Sequence, residues 1–230
     1  MGPALADARH RIHLTVILRD ADFDADTERR RNTVSAPELK IPESALRDYV
    51  EANRDLEKRD AEAAEKHLEH AVVVAPRFAN AWNTLGTIAY QTQRFALAEE
   101  RFRQALKQDS TAYEPLVNLG GVLVTMHKLD EALEVNVHAA LTRPNDALAN
   151  SQLGMTYFEL GQFDSAVKYL ERARQIDPGH FSHPQLFLAE IHLRRGQKRE
   201  AASVLEDFLQ HHPDYPQAEV MRRHIVELRQ

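Results

Sequence analysis

Apolar and polar residues follow one another along most of the chain with the spacing of amphipathic helices. From residue 45 onward, leucine, glycine and aromatic residues recur three and four positions apart, as in Leu153, Gly154, Tyr157 and Leu160. Residues with this spacing lie on one face of an α-helix, so each such segment predicts a helix with a single apolar face. Short breaks separate the segments, and Gly161 in one of them predicts a left-handed turn after a helix.

The helical segments repeat with a period of 34 residues. We use "column" for the residues that share one place in successive repeats. Three columns hold small residues: Gly86, Gly120 and Gly154; Ala64, Ala98, Ala132 and Ala166; and Ala71, Ala105, Ala139 and Ala173. Small residues let two helices approach closely, so each repeat is predicted to be a helical hairpin. Neither helix can bury its apolar face alone, so neighbouring hairpins must stack.

Proline marks the end of most repeats, and the last repeat is shifted. Pro76, Pro144 and Pro178 share a column in which Ser110 fills the remaining place. Proline ends a helix because it lacks an N–H and disfavours helical geometry before it. In the fifth repeat the small, small and proline places are each one residue late, at Ala189, Ala201 and Pro213. An extra residue is therefore predicted near His180 and Phe181.

The order of these residues resembles the tetratricopeptide repeat family. Its signature is W-x2-L-G-x2-Y, then A-x3-F, then P. Matching residues in the second repeat are Trp82, Leu85, Gly86, Ala98 and Phe102, and in the fourth they are Leu153, Gly154, Tyr157, Ala166 and Pro178. The resemblance implies an all-α fold, a right-handed superhelical solenoid of helical hairpins. It covers five repeats, at residues 45–78, 79–112, 113–146, 147–180 and 182–214.

Both ends of the predicted array differ from its middle. The first repeat has Glu51 and Asp55 where apolar residues are usual, as expected of a terminal repeat that faces water. Residues 215–230 are predicted to form a capping helix, with apolar residues at helical spacing: Ala218, Met221, Ile225 and Leu228.

Residues 1–44 have a different pattern. Apolar and polar residues alternate over 11–19, which predicts a short extended strand, and residues 20–44 read as a linker. A lone strand needs a partner. Either it pairs with another copy or another protein, or it is the last strand of a domain that this chain lacks.

Composition and charge exclude several classes of protein. The chain has 29 Lys and Arg residues against 35 Asp and Glu, a net charge of −6, so we expect no nucleic-acid partner. It has no cysteine, which excludes disulfides, thiolate metal sites and cysteine nucleophiles. The longest apolar runs are far shorter than the roughly 20 residues of a membrane span.

No motif predicts catalysis, a metal or a cofactor. Alternating Asp20, Asp22, Asp24 and Asp26 fail as a calcium loop, because the required glycine and glutamate are absent. Arg29–Arg31 form a basic run flanked by acids, which is typical of a solvated linker. Three histidine pairs lack further ligands and are expected to have structural or surface roles, with the first pair solvated: His67 with His70, His180 with His183, and His211 with His212. Catalytic and phosphate-binding motifs are missing, so the chain is predicted not to be an enzyme.

The family resemblance also implies a concave, ligand-binding face formed by the first helix of each hairpin. One column of that face, Thr84, Asn118 and Gln152, offers hydrogen bonds to an extended peptide. The candidate residues are Tyr49, Asn53, Asn83, Thr84, Thr87, Tyr90, Asn118, Gln152, Met155 and Phe158. The cations with which co-chaperone members hold a C-terminal carboxylate are missing, so an acidic C-terminal tail is not the expected ligand.

The predicted function is a non-enzymatic scaffold that binds an extended or helical peptide segment, neutral or apolar to basic in character. Two alternatives stay open. The chain is an accessory or regulatory part of a larger, exported protein or enzyme whose other domain is absent, or it assembles into a homo-oligomer through its N-terminal segment.

Overall fold

The structure, a computed structural model, describes residues 41–230. The predicted strand at 11–19, the acidic stretch at 20–26 and the basic run at 29–31 lie outside the described residues. The described part contains eleven helices and no strand. They are α1 Glu43–Glu57, α2 Ala61–Val74, α3 Ala79–Gln91, α4 Phe95–Gln108, α5 Tyr113–Thr125, α6 Leu129–Thr142, α7 Ala147–Glu159, α8 Phe163–Ile176, α9 Pro184–Arg194, α10 Lys198–His211 and α11 Ala218–Leu228. The predicted all-α fold is confirmed.

The described residues form two compact units, 41–126 and 127–230. In the first unit α1 pairs with α2 and α3 with α4, while α2 packs on α3 and α4 on α5. In the second unit α7 pairs with α8 and α9 with α10, α6 packs on α7, α8 on α9, and α11 covers α10. Each pair is a helical hairpin, as the small-residue columns predict.

Glycine permits the close approach of the two helices in a hairpin. A Cβ placed on Gly86 would lie 2.5 Å from Cε1 of Phe102, and one on Gly154 would lie 2.6 Å from Cγ of Leu170. Both distances are far below van der Waals contact. Phe102 and Leu170 are fully buried, so neither side chain has solvent to move into.

The turn between the two helices of a hairpin uses one left-handed residue. The predicted left-handed backbone of Gly161 is confirmed by its φ of 72°. The same column also holds Arg59, Gln93 and His127, each with positive φ, and Gly196. The chain reverses there through backbone bonds such as Arg94 N–H to the Ala89 carbonyl, at 2.8 Å. Glycine therefore marks only some of these turns in the sequence.

The connection from α8 to α9 is longer than its equivalents. It runs over seven residues, 177–183, whereas 75–78, 109–112 and 143–146 have four. The predicted extra residue falls in this connection. His183, its last residue, is left-handed at φ 51° and directly precedes Pro184. Its ring packs against Phe208, which occupies the place of an alanine in the four other repeats.

No helix in residues 41–230 is both long and apolar enough to cross a membrane.

Candidate functional site

Two asparagine amides meet on the first unit. Asn83 of α3 and Asn118 of α5 are both half-buried, and Nδ2 of Asn118 donates to Oδ1 of Asn83 at 3.0 Å. Within residues 41–230 no other side-chain hydrogen bond involves these two amides. A second N–H and a carbonyl oxygen on Asn118, and both N–H groups on Asn83, are therefore available to a ligand. The bond fixes the two amides in a row across neighbouring repeats.

Three other candidate residues of the first unit are buried and already bonded. Thr84 donates its hydroxyl to the Asn80 carbonyl at 3.0 Å, and Thr87 donates to the Asn83 carbonyl at 3.1 Å. The hydroxyl of Tyr90 lies 3.2 Å from Oγ1 of Thr125. Burial raises the pKa of Tyr90, and the Thr125 contact partly opposes that rise. These residues shape the wall of the face rather than offer free polar atoms.

The two candidate residues on α1 stand apart from the amide pair. Tyr49 is half-buried and its ring centroid lies 4.9 Å from that of Phe78. Asn53 is exposed one turn further along the helix. Both side chains remain accessible at the beginning of the repeat array.

In the second unit one candidate, Phe158, belongs to a cluster of aromatic rings, and the other two are buried. Phe158 is half-buried and lies 5.3 Å from Phe187 and 5.8 Å from Phe163, ring centroid to ring centroid. Met155 and Gln152 are buried, with 4% of each exposed. In the described part of the chain the Oε1 atom of Gln152 has no hydrogen-bond partner.

One cation beside these rings was missed by the sequence analysis. The Arg194 guanidinium lies 5.1 Å above the Phe158 ring and 5.4 Å above the Phe163 ring. Glu190 holds it through a bond of 2.9 Å. Arg194 shares a column with Glu159 in the preceding repeat. Extending that column into the fifth repeat would have identified it.

The two histidines predicted to be solvated, His67 and His70, are accessible, with 42% and 62% of their side chains exposed, and both also contact carboxylates. Nδ1 of His70 lies 2.6 Å from Asp48, and His67 lies 3.7 Å from both Asp48 and Asp55. From the sequence, Asp55 is expected to face water, as in a terminal repeat. Only 15% of its side chain is exposed, and it faces His67 of α2 instead. The periodicity of a single helix does not show which residues its partner helix presents. Over residues 41–230, no group of three or more His, Asp or Glu side chains has an arrangement that could hold a metal ion.

The remaining histidine pairs lie in and beside the α8–α9 connection. Nδ1 of His180 lies 2.6 Å from the hydroxyl of the buried Ser182. His183 packs between the rings of Phe208, His212 and Tyr215, at 5.2, 4.7 and 5.9 Å. Burial, followed by the nearby His212 and His180, lowers the pKa of His183 to about 4.

Comparisons with known proteins agree with this architecture. Family models described as tetratricopeptide repeat match residues 49–113, 120–181 and 157–222. The chain is 29% identical to anaphase-promoting complex subunit 7 of Arabidopsis thaliana over 161 residues, which is 69% of this chain and 28% of that protein. It is 28% identical to human cell division cycle protein 16 homolog over 123 residues, covering 50% and 20% of the two chains. The chain thus spans less than a third of the length of these relatives.

Solved structures show the same fold. MamA residues 41-end from Desulfovibrio magneticus RS-1 superpose with a TM-score of 0.67 at 19% identity, covering 75% of this chain and 97% of that one. YrrB, a TPR protein described as having an unusual peptide-binding site, gives 0.63 at 22% identity, covering 87% and 98%. The family models cover more than half of the chain, and the hairpins place the signature residues at their helix crossings. The chain is a member of the tetratricopeptide repeat family.

Proposed function

We propose that this protein is a non-enzymatic scaffold whose first unit binds an extended peptide segment of another protein across α3 and α5. The observation that carries the proposal is the bonded pair of Asn83 and Asn118. A peptide backbone presents alternating N–H and C=O groups, and side-chain amides satisfy both kinds. Because the two amides are fixed by their mutual bond, less conformational entropy is lost when a peptide binds them.

The charge of the candidate face supports a neutral to basic ligand. None of the predicted groove residues of the first unit is Lys or Arg. Recognition of a carboxylate depends on charge-assisted bonds from such cations. A peptide segment with small or apolar side chains leaves its backbone groups free to bond the two amides.

The direct test is peptide binding by the full chain. An array of extended peptides, with neutral, basic and acidic C-terminal sequences, is probed with wild type and with Asn118→Ala. Truncating Asn118 removes the amide donors and leaves Asn83 without its partner, so we expect affinity to fall about five- to tenfold. Lys107→Ala, at an exposed position of α4, is the matched control and should leave affinity unchanged.

Two outcomes would contradict the proposal. Tight binding confined to acidic C-terminal peptides would show that another surface supplies cations. Equal affinity of wild type and Asn118→Ala for every peptide would show that the amide pair is not the contact.

A further inference from the structure

Four rings pack together where the α8–α9 connection meets the α10–α11 connection. We call them the histidine cluster: His183, Phe208, His212 and Tyr215. The ring centroid of His183 lies 4.7 Å from that of His212 and 5.9 Å from that of Tyr215. The Phe208 ring lies beneath them, 4.6 Å from His212 and 4.9 Å from Tyr215. The cluster therefore joins two connections that are far apart in the sequence.

The cluster belongs to one hairpin of the described residues. There the α8–α9 connection has seven residues, whereas its equivalents have four, and Phe208 stands where the other four repeats have alanine. The connection ends with His183 in a left-handed backbone at φ 51°, directly before Pro184. This conformation is costly for histidine, so the packing of its ring must hold it.

Neither histidine of the cluster has a compensating carboxylate in contact. Within residues 41–230, His183 and His212 form no ion pair, and the Nε2 atom of His212 is buried without a hydrogen-bond partner. Burial first, then the nearby His212 and His180, lower the pKa of His183 to about 4. Burial and then His211 lower the pKa of His212, and Asp177 only partly opposes that fall.

The other titratable groups around the two histidines leave this balance unchanged. They are His180 and Asp177 in the α8–α9 connection, His211 and Asp207 on α10, and Tyr215 within the cluster. Asp207 is engaged elsewhere, because it lies 3.4 Å from Arg174 and 3.6 Å from His211. Burial raises the pKa of Tyr215, so its hydroxyl stays neutral.

Helix α11 depends on the connection that carries two of these rings. In the described part of the chain it packs mainly on α10, and three of its residues are buried: Ala218, Ile225 and Leu228. Residues 212–217 lead from α10 into α11 and include both His212 and Tyr215. Movement of these two rings away from His183 would therefore displace the start of α11.

We propose that the histidine cluster is an acid-sensitive switch: when His183 or His212 binds a proton, the cluster separates and α11 undocks from α10. A buried imidazolium needs water or a carboxylate, and the closed cluster supplies neither. Separation admits water to the charged ring and exposes Leu209 and Ile225, which line the groove between α10 and α11. The proposal does not rest on peptide binding by the first unit, because the cluster belongs to the second.

Hydrogen exchange of the full chain, followed by mass spectrometry, tests the proposal. Protection of the amides of α11, 218–228, is compared with that of α8, 163–176, at pH 7 and pH 5, after correction for intrinsic exchange. We expect protection of α11 to fall about tenfold at pH 5, because the open form binds a proton with an ordinary histidine pKa near 6.5 and the closed form with one of about 4. Protection of α8 should change by less than about twofold.

Substitutions assign the response to the two histidines. Asparagine tolerates the left-handed backbone and does not titrate in this range, so His183→Asn combined with His212→Gln should reduce the response of α11 to less than about twofold. His138→Asn, at an exposed position of α6 in the same unit, is the matched control and should keep the wild-type response.

A second measurement uses the wild-type chain alone, and so does not depend on the folding of a variant. Ring-proton NMR should show a histidine that titrates well below pH 6, and exchange of α11 should rise over the same range of pH. Equal protection of α11 at pH 7 and pH 5 would overturn the proposal. So would a loss of protection in α8 as large as that in α11, or a full response in the double variant.

Discussion

A single residue with positive φ reverses the chain inside each hairpin, and its identity is not constant. Gly161 and Gly196 adopt φ 72° without steric cost, whereas Gln93 adopts φ 60° with a side chain. The left-handed region costs a non-glycine residue roughly 1–2 kcal/mol. Because the sequence shows a glycine in only part of the column, the left-handed conformation of Arg59, Gln93 and His127 could not be assigned in advance.

Gln93→Gly should therefore stabilise the protein. Relief of the left-handed strain is partly offset by the greater freedom of glycine in the unfolded chain, so we expect a gain of about 0.5–1 kcal/mol in the free energy of unfolding. Urea denaturation measures it. The reciprocal change, Gly161→Gln, should lower the free energy by a similar amount, and a loss on Gln93→Gly would contradict the argument.

Because of His183, the free energy of unfolding is expected to depend on pH. Its pKa is lowered to about 4 by burial first, then by His212 and His180, against an ordinary value near 6.5. Between these values the unfolded chain binds more protons than the folded one, so stability falls as the pH is lowered through this window. We expect a loss on the order of 1–2 kcal/mol from pH 7 to pH 4, reduced by screening of the partly solvated ring.

Denaturation across this pH range in wild type and His183→Asn measures that loss. Asparagine tolerates the left-handed backbone at φ 51° but does not titrate there. The variant should show a shallower pH dependence, and identical slopes would exclude His183 as the cause.

At the scale of helices, one buried column is apolar in every repeat except one. It holds Leu68, Phe102, Leu170 and Leu205 in four repeats but Asn136 in α6, and all five residues are buried. Nδ2 of Asn136 donates to Oγ1 of Thr156 in α7 at 3.0 Å, while its Oδ1 finds no hydrogen bond in the described residues. An unsatisfied buried carbonyl oxygen is costly.

Asn136→Leu should stabilise the second unit. Leucine has a similar size and restores the apolar column, and the Thr156 hydroxyl keeps its 2.7 Å bond to the Gln152 carbonyl. We expect a gain of about 1 kcal/mol in the free energy of unfolding, measured by thermal and urea denaturation. Asn136→Ala is the control, because it removes the same amide but leaves a cavity and should destabilise the protein. A less stable leucine variant would contradict this account.

Periodicity predicts the helices more fully than it predicts the candidate site. The columns around Gly86 and Gly154 arise from contacts within one hairpin, so the sequence shows the fold directly. The solvent accessibility of a candidate side chain depends on the neighbouring helices, and the pattern of a single helical segment does not predict it. Thr84 and Thr87 thus share a predicted face with Asn83, yet their hydroxyls are buried against their own helix.

At the scale of the whole molecule, each hairpin of a repeat array contacts mainly its neighbours. A destabilising substitution in one unit should therefore lower the stability of that unit more than that of the other. Trp82 is the only tryptophan and lies in the first unit, whereas circular dichroism reports on all helices. Gly154→Ala in the second unit would place a methyl group 2.6 Å from Leu170. We expect it to cost about 1–3 kcal/mol and to lower the midpoint of the helical signal more than that of Trp82 fluorescence.

Gly86→Ala, which clashes with Phe102 in the first unit, should instead lower the fluorescence midpoint directly. Gly179→Ala is the control for both, because a Cβ there meets nothing nearer than 3.7 Å. Equal shifts of both signals in Gly154→Ala would mean that the chain unfolds as one cooperative body.

The equal four-residue connections at 75–78, 109–112 and 143–146 make the early repeats interchangeable modules. A duplication of residues 79–112 in the gene would also duplicate Gly86, Phe102 and the four-residue connection. The new hairpin could therefore pack against its neighbours with the same residues as the original hairpin. The seven-residue connection at 177–183 has no such counterpart. Insertion of further repeats is therefore expected to be tolerated before that connection, whereas a copy of the last hairpin would also need the His183–Phe208 ring contact at its entry.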